Sequence, residues 1–213
     1  MRLTKLGHSC VRLEKDGATL VIDPGSFSEE EAAVGADVVA ITHEHPDHLD
    51  TDRLRAAAAA NPGLRVYAHP SLAPHLLPLG VTHLGVESGD RFEVEGFDVQ
   101  VHGERHAVIH PDIPVVPNIG FRIDTPTGGV FHPGDAYTVP DDPVGTLLVP
   151  LHAPWMKSAE LIDYVRAVGA RRSVAIHDGL LNENGIAVYG RNLAMTGSDA
   201  GYERLSPGES SEV

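Results

Sequence analysis

Asp37-Val38-Val39-Ala40-Ile41-Thr42-His43-Glu44-His45-Pro46-Asp47-His48, residues 37–48, runs from an apolar segment directly into three imidazoles and a carboxylate. The stretch Asp37 to Thr42 reads as a buried strand, because a short continuous apolar run bounded by polar residues suits a sheet interior. In extended backbone, residues i and i+2 project to the same side, so His43 and His45 can reach one cation together. Pro46 bends the chain, which lets Asp47 and His48 turn toward a second cation nearby. Nitrogen and oxygen donors of this kind suit zinc, iron or manganese. A polar loop with incidental histidines would be an odd use of so many donors. The helical zinc motif His-Glu-x-x-His does not fit: position 47 is Asp, His48 comes one residue late, and Pro46 would disrupt the helix.

Upstream, Thr4 to Leu6, Cys10 to Leu13 and Ala18 to Ile22 read as a β-meander turning at Lys15-Asp16-Gly17, with Asp23-Pro24-Gly25 as a break. Ser28 to Ala33 is an acidic loop or short helix. Downstream, a helix follows the motif with Asp50 or Thr51 as N-cap and the alanines of 56–60 as its body, stopped by Asn61-Pro62-Gly63. A short strand (Arg65 to Ala68) and a Pro-punctuated helix (Leu72 to Leu77) come next. A second β-rich block holds Arg91 to Glu95, Phe97 to His102, Ile119 to Asp124, Gly129 to His132 and Leu147 to Pro150. A helix over Ala159 to Val168, with Ser158 as N-cap, precedes a strand from Ser173 to Ile176. Two β-rich halves that each end in strand–helix elements imply an α/β (α+β) domain with helices outside paired sheets. No internal repeat or linker is evident. Residues 1–196 are expected to form the domain, and the Ser/Gly/Glu-rich tail, 197–213, to be disordered.

The 213 residues suit one domain, and 42% hydrophobic with 22% charged residues is ordinary for a globular chain. No apolar run reaches membrane-spanning length, and Met1 to Cys10 lacks an apolar signal core, so a cytoplasmic protein without a membrane partner is expected. Cys10 is the only cysteine, which excludes an intrachain disulfide and a thiolate zinc knuckle. It reads as a packed strand residue. A formal charge of −14 argues against nucleic acid as a partner and favours a small-molecule substrate. A homo-oligomer is compatible with the sequence, which carries no signal for or against it.

Thr42-His43-Glu44-His45-Pro46-Asp47-His48 resembles the T-H-x-H-x-D-H signature of the metallo-β-lactamase superfamily. Gly7-His8-Ser9 and Leu20-Val21-Ile22-Asp23-Pro24 resemble the opening hairpin of the ascorbate-6-phosphate lactonase-like branch. Gly103-Glu104-Arg105-His106, Phe131-His132-Pro133-Gly134-Asp135 and Ala175-Ile176-His177 are similar to the family's later motifs, in the same order. The likeness runs from residue 7 to residue 177. It implies a four-layer αβ/βα sandwich of two mixed sheets with helices on the outer faces. It further implies one metal on His43, His45 and His106, a second on Asp47, His48 and His177, and Asp135 bridging. His102 and His110 compete with His106 for its place. Asp23 would orient a ligand histidine by accepting its other ring N–H, or else is a turn-forming Asp before Pro.

Two divalent ions, zinc first and manganese or iron as alternatives, then imply a hydrolase. A hydroxide between them would attack an ester, lactone, amide or phosphoester, and Asp47 or Asp135 would orient it and take its proton. Acid assistance would fall to His110 or His152, both equally readable as plain loop histidines. His8 and Trp155 are candidate substrate contacts, with core packing the competing role for Trp155. His69, His75 and His83 read as surface or structural. His152-Ala153-Pro154-Trp155-Met156 departs from the glycine-rich stretch of the lactonase-like relatives, which puts lactonase activity in doubt. The diiron reductases of the same fold resemble H-x-E-x-D-H instead, and His at position 45 favours hydrolysis. A nucleic-acid phosphodiesterase and a non-catalytic metal-binding protein are the remaining alternatives.

Overall fold

The computed structural model describes residues 1–195 and 201–213. Among the described residues, fourteen strands make two seven-stranded sheets. The first is ordered β14-β1-β2-β3-β4-β5-β6, from β1 (Arg2–Lys5), β2 (Val11–Lys15), β3 (Ala18–Ile22), β4 (Val38–Ile41), β5 (Arg65–Ala68), β6 (Thr82–Gly85) and β14 (Ser210–Glu212). The second is ordered β13-β12-β11-β10-β9-β8-β7, from β7 (Arg91–Val94), β8 (Phe97–His102), β9 (Gly120–Ile123), β10 (Val130–His132), β11 (Thr146–Pro150), β12 (Arg172–Ile176) and β13 (Tyr202–Glu203). Both sheets are mixed: β14 to β3 pair antiparallel and β3 to β6 parallel, while β7 to β10 pair antiparallel and β10 to β13 parallel.

Period-two alternation sorts the apolar side chains into layers. Val38 and Ala40 of β4 face Phe97, Phe121, Leu148, Val174 and Ile176 of the other sheet, in a core between the sheets. Val39 and Ile41 point outward, against Leu54 and Ala57 of α1 (Thr51–Ala60) and Leu76 of α2 (Ala73–Leu76). On the opposite outer face, Leu147, Val149 and Ala175 pack with Leu161 and Val165 of α3 (Ser158–Val168) and Leu193 of α4 (Glu183–Met195). The result is the expected four-layer α/β sandwich of two mixed sheets.

Asp50 caps α1, its side chain accepting from the Asp52 and Arg53 amides, and Asn61 ends the helix. Ser158 is not a cap: α3 begins at Ser158, after Lys157, which makes no side-chain cap bond. The sequence reading did not include β6 or α4. The tail also differs from expectation. Residues 197–200 lie outside the described residues, but 201–213 are ordered into both sheets. β14 pairs with β1, β13 runs parallel to β12, and Leu205 and Val213 are buried. Polar composition misled there because only two apolar side chains do the anchoring, alongside Arg172, which bonds Glu203, Ser211 and the Glu212 carbonyl. Among the described residues, no helix is long and apolar enough to cross a membrane.

Candidate metal centre

The loops that matter leave the C-terminal ends of strands, which is where α/β sheets commonly place ligand sites. His8 follows β1, Asp23 follows β3, residues 42–48 follow β4, His106 follows β8, Asp135 follows β10, Trp155 follows β11 and His177 follows β12. Two glycines make the approach possible. A Cβ on Gly25 would lie 2.0 Å from the Asp47 backbone, and one on Gly134, at φ +63, would lie 2.3 Å from Asn118 Oδ1. Three non-glycine residues of this region, His8, Asp23 and His177, hold left-handed φ of 45, 51 and 53°. Such strained positions persist when the surroundings over-determine them.

The imidazoles converge. Ring centroids are 4.7 Å apart for His43 and His45, 4.1 Å for His43 and His48, 4.7 Å for His45 and His106, and 5.4 Å for His48 and His177. Asp135 lies among them, with His48 Nε2 3.1 Å from its Oδ1, and His177 and His106 Nε2 at 3.2 and 3.4 Å from its Oδ2. Ligand atoms of His43, His45 and His106 lie within 4.8 Å of one another, as do those of His43, His48 and Asp135 and those of His8, Asp47, His48 and His177.

Each buried ring has its Nδ1 engaged. His43 Nδ1 meets Thr42 Oγ1 at 3.0 Å, and that hydroxyl donates onward to Asp23. His48 Nδ1 donates to Asp23 Oδ2 at 2.7 Å, His106 Nδ1 to the Ala107 carbonyl at 2.5 Å, and His177 Nδ1 to the His152 carbonyl at 2.6 Å. With the proton fixed at Nδ1, the lone pair sits on Nε2. The Nε2 atoms of His43, His48, His106 and His177 and the Oδ1 of Asp135 are all buried without a hydrogen-bond partner. Lone pairs facing carboxylate oxygens need a positive charge between them, either a proton or a metal ion. This donor set fits divalent metal.

The electrostatics agree. Burial lowers His43 well below the usual imidazole range and also lowers His45. Burial opposes protonation of His177 too, but the carboxylates of Asp135 and Asp47 facing its Nε2 outweigh it and raise its pKa to about 9. His48 is likewise raised, against its burial, by Asp135 and Asp23. For Asp135, burial is outweighed by the charge of His48 and the facing imidazoles of His106 and His177, which hold it well below the carboxylate range.

The remaining candidates fall in distinct places. Asp23 is fully buried and accepts from the Thr42 amide, the Thr42 hydroxyl and His48. Trp155 is buried and its indole N–H donates to Asp135 Oδ2 at 3.0 Å, so it touches the donor set itself. His8 is also buried: its Nδ1 accepts from the Gly179 amide, which leaves its proton on Nε2, 3.2 Å from Asp47 Oδ2. That tautomer makes His8 a donor to Asp47 rather than a metal ligand. His152 serves through its carbonyl, while its ring turns to the Tyr189 hydroxyl at 2.9 Å. His110 is 60% exposed, pairs with Asp112 and does not join the cluster. Sequence reasoning missed Thr42 as a relay and Asn118, whose side chain accepts from the Asp135 amide and donates to the Pro133 carbonyl. Asp47, 23% exposed, and the half-buried His45 mark the open side.

Strand-end donors facing one another across two sheets, with helices outside, are the layout of the metallo-β-lactamase class of fold. The chain belongs to the β-lactamase superfamily, whose domain matches residues 2–177. It is 40% identical over 203 residues to protein Rv0786c of Mycobacterium tuberculosis, covering 93% of this chain and 94% of that one. It is 27% identical to a UPF0173 metal-dependent hydrolase of Methanopyrus kandleri across 100% of both. Its fold is similar to that of Igni18, a metallo hydrolase from Ignicoccus hospitalis, with TM-score 0.77 and 20% identity over 99% of this chain and 97% of that one. These matches define the superfamily and not the ascorbate-6-phosphate lactonase branch.

Proposed function

We propose that this chain is a dinuclear metal-dependent hydrolase acting on a small-molecule ester, lactone, amide or phosphoester. The observation that carries this is the convergence on Asp135 of buried, unpartnered Nε2 atoms whose Nδ1 atoms are already engaged. The similarity to a metal-dependent hydrolase of Methanopyrus kandleri and to the fold of a metallo hydrolase of Ignicoccus hospitalis agrees with it.

In this reading His43, His45 and His106 hold one ion, Asp47, His48 and His177 hold the other, and Asp135 serves both. Two divalent cations, zinc by the nitrogen-rich donor set with manganese or iron as alternatives, supply Lewis acidity and lower the pKa of water to about 7. The chain's own groups do the rest. Asp23, Thr42 and the carbonyls of Ala107 and His152 fix the rings, so little reorganisation is needed when substrate arrives. Trp155 orients Asp135. Asp47, at the open side and steadied by the His8 Nε2–H, can take the proton released by the water nucleophile. The acidic charge of −14 favours small substrates over polynucleotides.

Elemental analysis with a panel of lactone, ester, amide and phosphodiester substrates tests the reading. His48→Ala should lose the second ion and most turnover while the chain still folds. Full activity in that variant contradicts two-ion chemistry. Stoichiometric metal without turnover on any substrate class points instead to a metal-binding protein.

A further inference from the structure

His177 holds a left-handed φ of 53° at the end of β12, and its strain has an identifiable restraint. Lys5 and Asp178 are 1% and 5% exposed. The Lys5 ammonium donates to the Ala175 carbonyl at 3.0 Å and to Asp178 Oδ1 at 2.8 Å, so it spans the turn on both sides of His177. The other Asp178 oxygen accepts from Arg204 Nε at 2.9 Å. Arg204 follows β13 in the C-terminal segment, which the neighbouring Leu205 anchors in the core. The same turn is tied to the loop after β1: the His177 amide donates to the His8 carbonyl at 3.0 Å and the Gly179 amide to His8 Nδ1 at 3.1 Å.

We propose that the Arg204–Asp178–Lys5 triad is a clamp through which the C-terminal segment positions His177, with Arg204 as a positioning residue for the second metal subsite. The proposal rests on the two-ion reading above. A buried ion pair is a weak source of stability, because desolvation offsets the attraction. A triad of fixed geometry next to a strained donor is instead suited to orientation. Arg204 touches no donor atom and acts only through Asp178 and the 177–179 turn. His43, His45 and His106 lie on other loops, so the first subsite is outside its reach.

The test is stepwise zinc titration of the metal-free full-length chain by calorimetry, with thermal unfolding followed in parallel. Wild type should take up two equivalents. Arg204→Gln, which keeps bulk and loses the cation, should weaken the second equivalent by about 10–100-fold and leave the first unchanged. Arg204→Lys should recover much of the ratio between the two affinities. A purely structural role would lower the unfolding midpoint without moving that ratio. Equal weakening of both equivalents, or no weakening of either, overturns the clamp. A wild-type chain that takes up fewer than two equivalents overturns the two-ion reading, and the clamp with it.

Discussion

His43 and His48 share one loop and one pair of anchors, Thr42 and Asp23, which come from the ends of the neighbouring strands β4 and β3. His177 is held by pieces drawn from across the chain: the His152 carbonyl after β11, the His8 carbonyl after β1, and Asp178 gripped by Lys5 and Arg204. One arm of the site is local in sequence and the other is assembled. A local arm is fixed by a few residues that fold together, whereas an assembled arm inherits its precision from the whole sandwich. The two arms should therefore fail differently when perturbed.

Asp135 contacts both arms, so its removal is the strongest test. Asp135→Ala should abolish turnover and weaken both zinc equivalents by more than the roughly 10–100-fold that an orienting partner costs. Weakening of one equivalent alone, read by calorimetry, would show that the carboxylate is not shared.

Protons separate the two metal subsites next. In the metal-free chain His43 and His45 are lowered and bind without releasing protons at pH 7, while His48 and His177 are raised and must each lose one. Affinity for the second equivalent should thus rise as pH climbs toward about 9, the His177 value, with the first nearly flat above neutrality. Buffer-dependent calorimetric heats measure the protons released. The sign for metal-free stability is opposite. A raised imidazole pKa stabilises the fold fully below its unfolded value of about 6.5, and that contribution is lost as pH rises through about 9.

Asp23→Asn places an amide donor where Thr42 and His48 both donate, and should weaken the second equivalent by about 10–100-fold, read by the same titration. The smallest effect belongs to Asp50→Ala, just beyond the local arm. Loss of the α1 cap should cost about 1 kcal/mol in denaturant unfolding with metal stoichiometry unchanged.

The same contrast explains what the sequence made legible. The local arm could be read directly, because an apolar strand running into His-x-His-x-Asp-His states its own geometry. His106, Asp135 and His177 came only from a family likeness, since nothing in a lone strand-end residue says which distant loop it will meet. Helices outside paired sheets followed from the order of strands and helices, and the four layers from the family likeness. The C-terminal strands did not, because Arg172 and its oxygen partners hold them together with only the two isolated apolar residues Leu205 and Val213. Trp155 and His8 stood out as rare or well-placed residues, but their partners, Asp135 and Asp47, are set by tertiary contact alone. β6, none of whose residues is buried, had too weak a pattern to register.

Anomalous diffraction from zinc-loaded crystals tests the central claim most directly. Two peaks about 3.5–4 Å apart are expected, one against His43, His45 and His106, the other against Asp47, His48 and His177, with Asp135 touching both. A single peak, or zinc bound away from these imidazoles, would contradict it.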